Sequence, residues 1–114
     1  MIRNITILLL LSLSYSATLL VPNEYSTIQS AIDVSSNGDE VLVSAGTYYE
    51  TINFNGKNIS VIGADKETTI IDGDVNDDGV GDGSVVIFGS EEPATSVLSG
   101  FTITNGYAEN GGGI

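Results

Sequence analysis

The chain changes hydrophobic period once. In "STIQSAIDVSS", from Ser26 to Ser36, the apolar residues Ile28, Ala31 and Ile32 recur at helical spacing. Ser26 followed by Gln29 has the spacing of a capping box, and Asn37-Gly38 offers a left-handed stop. The pattern predicts one amphipathic helix of about three turns, suited to covering something apolar. From Val41 onward the period shortens. Apolar runs recur as "VLV" at 41–43, "TINF" at 51–54, "ISVIG" at 59–63, "TTII" at 68–71, "SVVIF" at 84–88 and "SVLSGFTIT" at 96–104. They are rich in Val, Ile, Thr and Phe, which pack well on a pleated surface, and Gly, Asn or Asp breaks them apart.

Taken at every second run, Leu42 to Val61 spans 19 residues and Ile52 to Ile70 spans 18. Val61 to Val86 spans 25 and contains "DGDVNDDGVGDG", Asp72 to Gly83. Removing about eight residues restores the earlier step, and a repeat of roughly 20 residues predicts a solenoid. Short strands with irregular turns also suit a sandwich. Two features favour the solenoid. "VVIF" and "TTII" read as buried on both sides, as parallel strands are, and the spacing is regular rather than paired. Only "NFNGKNI" resembles a hairpin. The expected class is all-β, a right-handed parallel β-helix with a short N-terminal capping α-helix.

The first residues alter how the rest is read. "MIRNITILLLLSLSYSA" has one base, Arg3, then an apolar run from Ile5 to Leu13, with Ser14 and Ser16 at the small-residue spacing of a cleavage site. This predicts a secretory signal cut after Ser16, too short for a bilayer-spanning helix of about 20 residues. A buried core helix or a membrane anchor is the alternative. The expected organisation is a signal peptide at 1–16, a linker or first strand at 17–25, and the cap and first turns of the solenoid at 26–114. Export to the medium or outer cell surface follows, with no membrane span after cleavage.

Without Arg3 the chain holds Lys57 and Lys66 against fifteen acids, a net charge near −13, with no histidine and no cysteine. Nucleic-acid binding by phosphate neutralisation needs clustered Lys and Arg, so it is excluded. Anionic polysaccharides are repelled unless a divalent cation bridges them. No disulfide can hold the fold in an oxidising compartment.

The wording "YSTIQSAIDVSSNGDEVLVSAGTYYETINFNGKNISVIGA" resembles the opening of right-handed parallel β-helix proteins of the pectin-lyase-like superfamily, in particular the pectinesterase-type start. The matching residues are Thr27, Ile28, Gln29 and Ala31, then Val41, Val43, Gly46, Thr47, Tyr48 and Glu50, then Ile62 and Gly63. "SVLSGFTITNGYAENGGGI" is similar to bacterial secreted proteins with β-helix repeats. The likeness covers nearly all of residues 24–114. It implies that the helix caps the first turn, and that "GGGI" stands where such proteins continue with further turns. The chain is therefore expected to be an N-terminal fragment, with a complete minimal solenoid as the alternative.

Chemistry is sparse. The pectinesterase likeness implies two aspartates, a glutamine and an arginine on later turns. Here the single glutamine, Gln29, falls in the helix cap, and no arginine follows Arg3. Lys57 and Lys66 read as solvated turn residues rather than bases. Without His or Cys, neither a Ser-His-Asp triad, nor a thiolate nucleophile, nor a usual zinc site can be assembled. The glycines of "GVGDG" and "GGGI" match no phosphate-binding pattern. No catalytic residue is assigned.

The acidic stretch does have a ligand pattern. Asp74, Asn76 and Asp78 take positions 1, 3 and 5 of a calcium loop, Gly79 the sharp turn, Val80 the backbone carbonyl at 7 and Asp82 position 9. Val85 stands where a bidentate Glu belongs, with Asp72 or Asp77 as possible substitutes. The stretch resembles the aspartate-rich loops of dockerin and thrombospondin-type repeats; a solvated bulge is the alternative. The functional expectation is a secreted or surface β-helix segment with a structural, adhesive or carbohydrate-binding role toward a polysaccharide or cell-surface glycan. The alternative is the N-terminal part of a pectin-lyase-like enzyme, a pectinesterase or polysaccharide lyase, with its active site downstream.

Overall fold

The computed structural model of the protein describes residues 16–107. All of the predicted signal but Ser16, and the "GGGI" stretch at 111–114, lie outside the described residues. Among these residues nine strands and one helix form in the order β1 (Thr18–Val21), α1 (Ile28–Val34), β2 (Glu40–Val43), β3 (Gly46–Tyr49), β4 (Ile52–Asn53), β5 (Ser60–Gly63), β6 (Thr69–Asp72), β7 (Val86–Ile87), β8 (Val97–Ser99) and β9 (Thr102–Thr104). Among the described residues no helix is long and apolar enough to cross a membrane.

The strands form three sheets, β1-β2-β5-β8, β3-β6-β9 and β4-β7, and every pairing is parallel. From β2 onward the chain visits the three sheets in strict rotation. The fold is all-β with one short helix, as the apolar runs predict. No hairpin forms at "NFNGKNI": β4 and β5 belong to different sheets, joined by a turn at Asn55 (φ 55°) and Gly56 (φ 78°).

The repeat step needs correcting. Each pass uses three strands, not two, because "GTYY" is a strand. Val61 therefore aligns with Leu98 rather than Val86, and Ile52 aligns with Val86 rather than Ile70. Steps in the first sheet are 22 and 20 residues (Thr18 to Glu40 to Ser60), then 37 to Val97. The longer step takes in the acidic stretch and also a second loop at 88–96.

The core follows from alternation and register. Leu19, Val41 and Val61 align and are buried, with Leu98 packed against them. Tyr48, Ile71 and Ile103 align in the second sheet, and Ile52 with Val86 in the third. Phe54, Ile59 and Val85 fill the space between. Each such fully buried side chain stabilises the fold by about 1.5–3 kcal/mol. "TTII" is not buried on both sides: Thr69 and Ile71 point inward and Ile70 is only half-buried. The inward Thr69 is tolerated because its hydroxyl accepts the Asp65 N–H at 3.2 Å. Where β5 and β8 end, Gly63 and Gly100 approach so closely that a Cβ on either would strike the other's carbonyl.

Helix α1 is shorter than predicted, with seven residues, yet its buried residues are the expected Ile28, Ala31 and Ile32. They pack against β1, β2 and β4. Its N-cap is Thr27, one residue beyond Ser26: the Thr27 hydroxyl accepts the Ser30 N–H and the Ser30 hydroxyl accepts the Thr27 N–H. It ends at Ser35 in extended backbone (ψ 156°), before Asn37-Gly38 is reached. Those two residues instead pair with Asn58, Gly38 N–H on its carbonyl and Asn37 Oδ1 on its N–H, both at 2.8 Å.

Distant residues close both helix ends. The Glu50 carboxylate accepts the Ile28 and Gln29 N–H groups at 2.8 and 3.0 Å. Lys57 Nζ donates to the carbonyls of Ile32, Asp33 and Ser35 at 2.6–2.8 Å. The expectation of a solvated Lys57 is thus overturned, since a helix C-terminus attracts a cation. Gln29 is likewise no cap. Its side chain brackets Asn53 of β4, accepting its N–H at 2.7 Å and donating to its carbonyl at 3.1 Å, in the way a neighbouring strand would.

Candidate functional site

Two adjoining features of the second sheet's outer side are the candidates, and both start from Asp72 at the end of β6. Strand alternation turns Tyr49, Asp72 and Thr104 outward as one cross-strand row, with Thr47, Ile70 and Thr102 as the next. The Tyr49 side chain is 49% exposed. Asp72 Oδ1 accepts the Asp74 N–H and the Asn105 Nδ2–H, both at 2.9 Å. The row therefore presents an aromatic face beside a carboxylate, a hydroxyl and a carboxamide.

The acidic stretch follows as the loop between β6 and β7. It folds inward on its own carboxylates. Asp74, 4% exposed, accepts the N–H groups of Asp78 (3.0 Å) and Gly79 (2.7 Å). Asn76 Oδ1 accepts the Asp78 N–H at 3.3 Å, Asp78 Oδ1 that of Val80 at 2.9 Å, and Asp82 Oδ2 that of Val75 at 2.8 Å. Asp77 (φ 58°) and Gly79 (φ 87°) make the sharp turns. The loop's other side rests on the end of β9 and the segment after it: Gly73 N–H reaches the Thr104 carbonyl, Tyr107 N–H the Gly83 carbonyl, and a Cβ at Gly73 or Gly81 would strike the Asn105 carbonyl.

These contacts test the calcium pattern. Asp74, Asn76 and Asp78 close successive turns around Gly79 by accepting main-chain N–H groups, and Asp82 reaches back to the Val75 N–H. Yet among the described residues no three carboxylates converge as a metal-holding group. Four of the six carboxylate oxygens of Asp74, Asp78 and Asp82 already receive main-chain N–H groups, although each oxygen keeps a second lone-pair site. The donor set fits a hard cation in kind. A cation would have to compete for oxygens that the loop already uses.

Sequence reasoning missed Tyr49, because "GTYY" carries no buried alternation (only Tyr48 is half-buried), and it missed Asn105, whose link to Asp72 spans 33 residues. The Tyr48 hydroxyl is tied to the Ser44 carbonyl at 2.7 Å, and burial, then the nearby Glu50 charge, raises it above an ordinary phenol. A separate shallow groove of about 270 Å³ runs along the first sheet beside Leu20, Leu42 and Ile62. No protein-family model, curated protein or solved structure matches this chain.

Proposed function

We propose that the chain is a segment of a right-handed parallel β-helix protein of the pectin-lyase-like superfamily, exported to the medium or outer cell surface, with an adhesive or carbohydrate-binding role. One observation carries this reading: the rotation of the chain through three parallel sheets, with like residues aligned pass after pass. On this reading α1 is the cap and the row Tyr49, Asp72 and Thr104 is the ligand surface. An exposed aromatic face stacks on the apolar side of a sugar ring, while Asp72 and Asn105 exchange hydrogen bonds with its hydroxyls. A net charge of −12, near −13 without Arg3, favours neutral or cationic glycans over anionic ones.

Co-sedimentation of the full chain with insoluble cellulose, chitosan and pectate tests this. Retention on the neutral or cationic polymer, lost in Tyr49→Ala with an unchanged melting curve, is the expected result. Retention on none of them, or retention that ignores Tyr49, refutes it. Release of methanol or of unsaturated products from pectin would replace it with the esterase or lyase reading.

Calcium is a second proposal, supported by the path of residues 74–82 around Gly79. The affinity belongs to the extracellular range, about 10⁻⁴–10⁻³ M, because the loop holds its shape through its own N–H groups. Calorimetric titration of the purified chain with calcium decides it. Absent heat, together with a melting temperature indifferent to chelator, removes the proposal.

A further inference from the structure

Three Asn-Gly pairs lie in the described residues, at Asn37, Asn55 and Asn105, and their surroundings differ. Asn37-Gly38 is clamped at both reacting groups: the carboxamide oxygen and the glycine N–H are both held by Asn58. At Asn105 the carboxamide nitrogen is held by Asp72. Asn55 is exposed, and its side chain makes no hydrogen bond among the described residues. The N–H of the following Gly56 points at the Glu92 carboxylate, 2.8 Å from Oε2. Glu92 Oε1 is held in turn by the Ser90 N–H at 3.0 Å, which fixes the carboxylate over the turn.

We propose that Asn55-Gly56 is a self-modification site, at which Glu92 acts as the base for deamidation of Asn55. A carboxylate within hydrogen-bond reach of the proton it removes meets the geometric requirement for general-base catalysis. The Gly56 nitrogen forms a bond to Asn55 Cγ while its proton passes to Glu92. The Cγ–Nδ2 bond then breaks, and the same proton lets the side-chain nitrogen leave as ammonia. Water opens the resulting succinimide to aspartate or isoaspartate, with no oxidant or reductant involved. Burial alone would raise the Glu92 carboxyl. The N–H groups of Gly56, Glu92 itself and Ser90 outweigh burial and hold it below the ordinary range, so the base is ionised at neutral pH.

The product alters the surface. A new carboxylate at position 55 adds a negative charge next to the Gly56 N–H that Glu92 holds, and isoaspartate adds a methylene to the main chain of a tight turn. Both loosen the 88–96 loop from the turn that Glu92 fastens, so this contact becomes a marker of protein age.

Ageing the intact chain at neutral pH, followed by peptide mass mapping, tests the proposal. Asn55 should convert several-fold faster than Asn37, and Glu92→Gln should slow Asn55 several-fold while Asn105 keeps its rate. Glutamine retains a carbonyl acceptor for the Gly56 N–H but is no base. Conversion of Asn55 no faster than Asn37, or a rate unchanged or raised by Glu92→Gln, overturns the proposal. Should that variant fail to fold, the wild-type chain decides: Asn55 reacting faster folded than in urea supports the base, and slower refutes it.

Discussion

Lys57→Met is the sharpest probe of how α1 is held. The ammonium makes three charge-assisted hydrogen bonds, to the carbonyls of Ile32, Asp33 and Ser35, at the negative end of a seven-residue helix. A helix this short has almost no intrinsic stability, so its docking depends on packing and on its ends. A cation in a favourable, partly buried position at a helix C-terminus contributes up to about 2 kcal/mol. Methionine keeps most of the stem's packing, so the loss isolates the charge and its bonds. Water can reach the freed carbonyls in part, which keeps the expected cost near 2 kcal/mol rather than a multiple of it. For a domain of this size that lowers the melting temperature by roughly 8–16 °C. Circular dichroism melting and urea titration of the chain from Ala17 onward measure it. Lys66→Met, in an exposed turn, is the matched control and should stay within about 0.5 kcal/mol of wild type. Glu50→Ala strips the helix's other end of two bonds. Combined with Lys57→Met it should cost less than the two single losses added, because both act by releasing one element. A Lys57→Met variant as stable as Lys66→Met would refute the clamp.

Other perturbations read other parts of the fold. Gly63→Ala forces a methyl group onto the Gly100 carbonyl, and overpacking against main chain should cost about 1–3 kcal/mol in urea titration. Phe54→Ala empties a fully buried site beside Phe88, whose ring lies 4.3 Å away, and should cost about 3–5 kcal/mol. The Tyr48 phenol is raised by burial and then by Glu50, so it favours the neutral form in the folded state. Its contribution is full below the ordinary phenol value of about 10 and is lost as pH climbs through the raised one. Stability curves of wild type and Tyr48→Phe should therefore converge at alkaline pH; parallel curves would exclude the linkage.

Legibility followed alternation. Runs such as "VLV" and "SVIG" show their inward residues directly, and the strands lie where those runs fall. "GTYY" does not, because three of its four residues are exposed. Without it each pass reads as two strands, and the alignment of Ile52 with Val86 is hidden. The helix was visible through Ile28, Ala31 and Ile32. Its cap slipped by one residue because Ser26 and Thr27 are both competent, and local spacing cannot rank them. Its charged clamps were invisible, since Glu50 and Lys57 lie more than twenty residues from the groups they hold. The acidic loop was conspicuous by composition, but not its closure by Asn105.

The excess of acid has a structural meaning that net charge conceals. Among the described residues the cations are Lys57, committed to α1, and the exposed Lys66, too few to neutralise the carboxylates. Main-chain N–H groups do so instead. Among the described residues nine acidic side chains, those of Glu24, Asp39, Glu50, Asp65, Asp72, Asp74, Asp78, Asp82 and Glu92, accept at least one. Most of these bonds close a turn or a helix end that no strand neighbour serves, and a carboxylate with its four lone-pair sites closes such ends well. Asp39 binds the Ala17 and Ser36 N–H groups and so ties the start of β1 to the exit of α1. Short strands rotating through three sheets create many such ends per residue. A chain of this architecture without disulfides has reason to be acidic at its turns, whatever it binds.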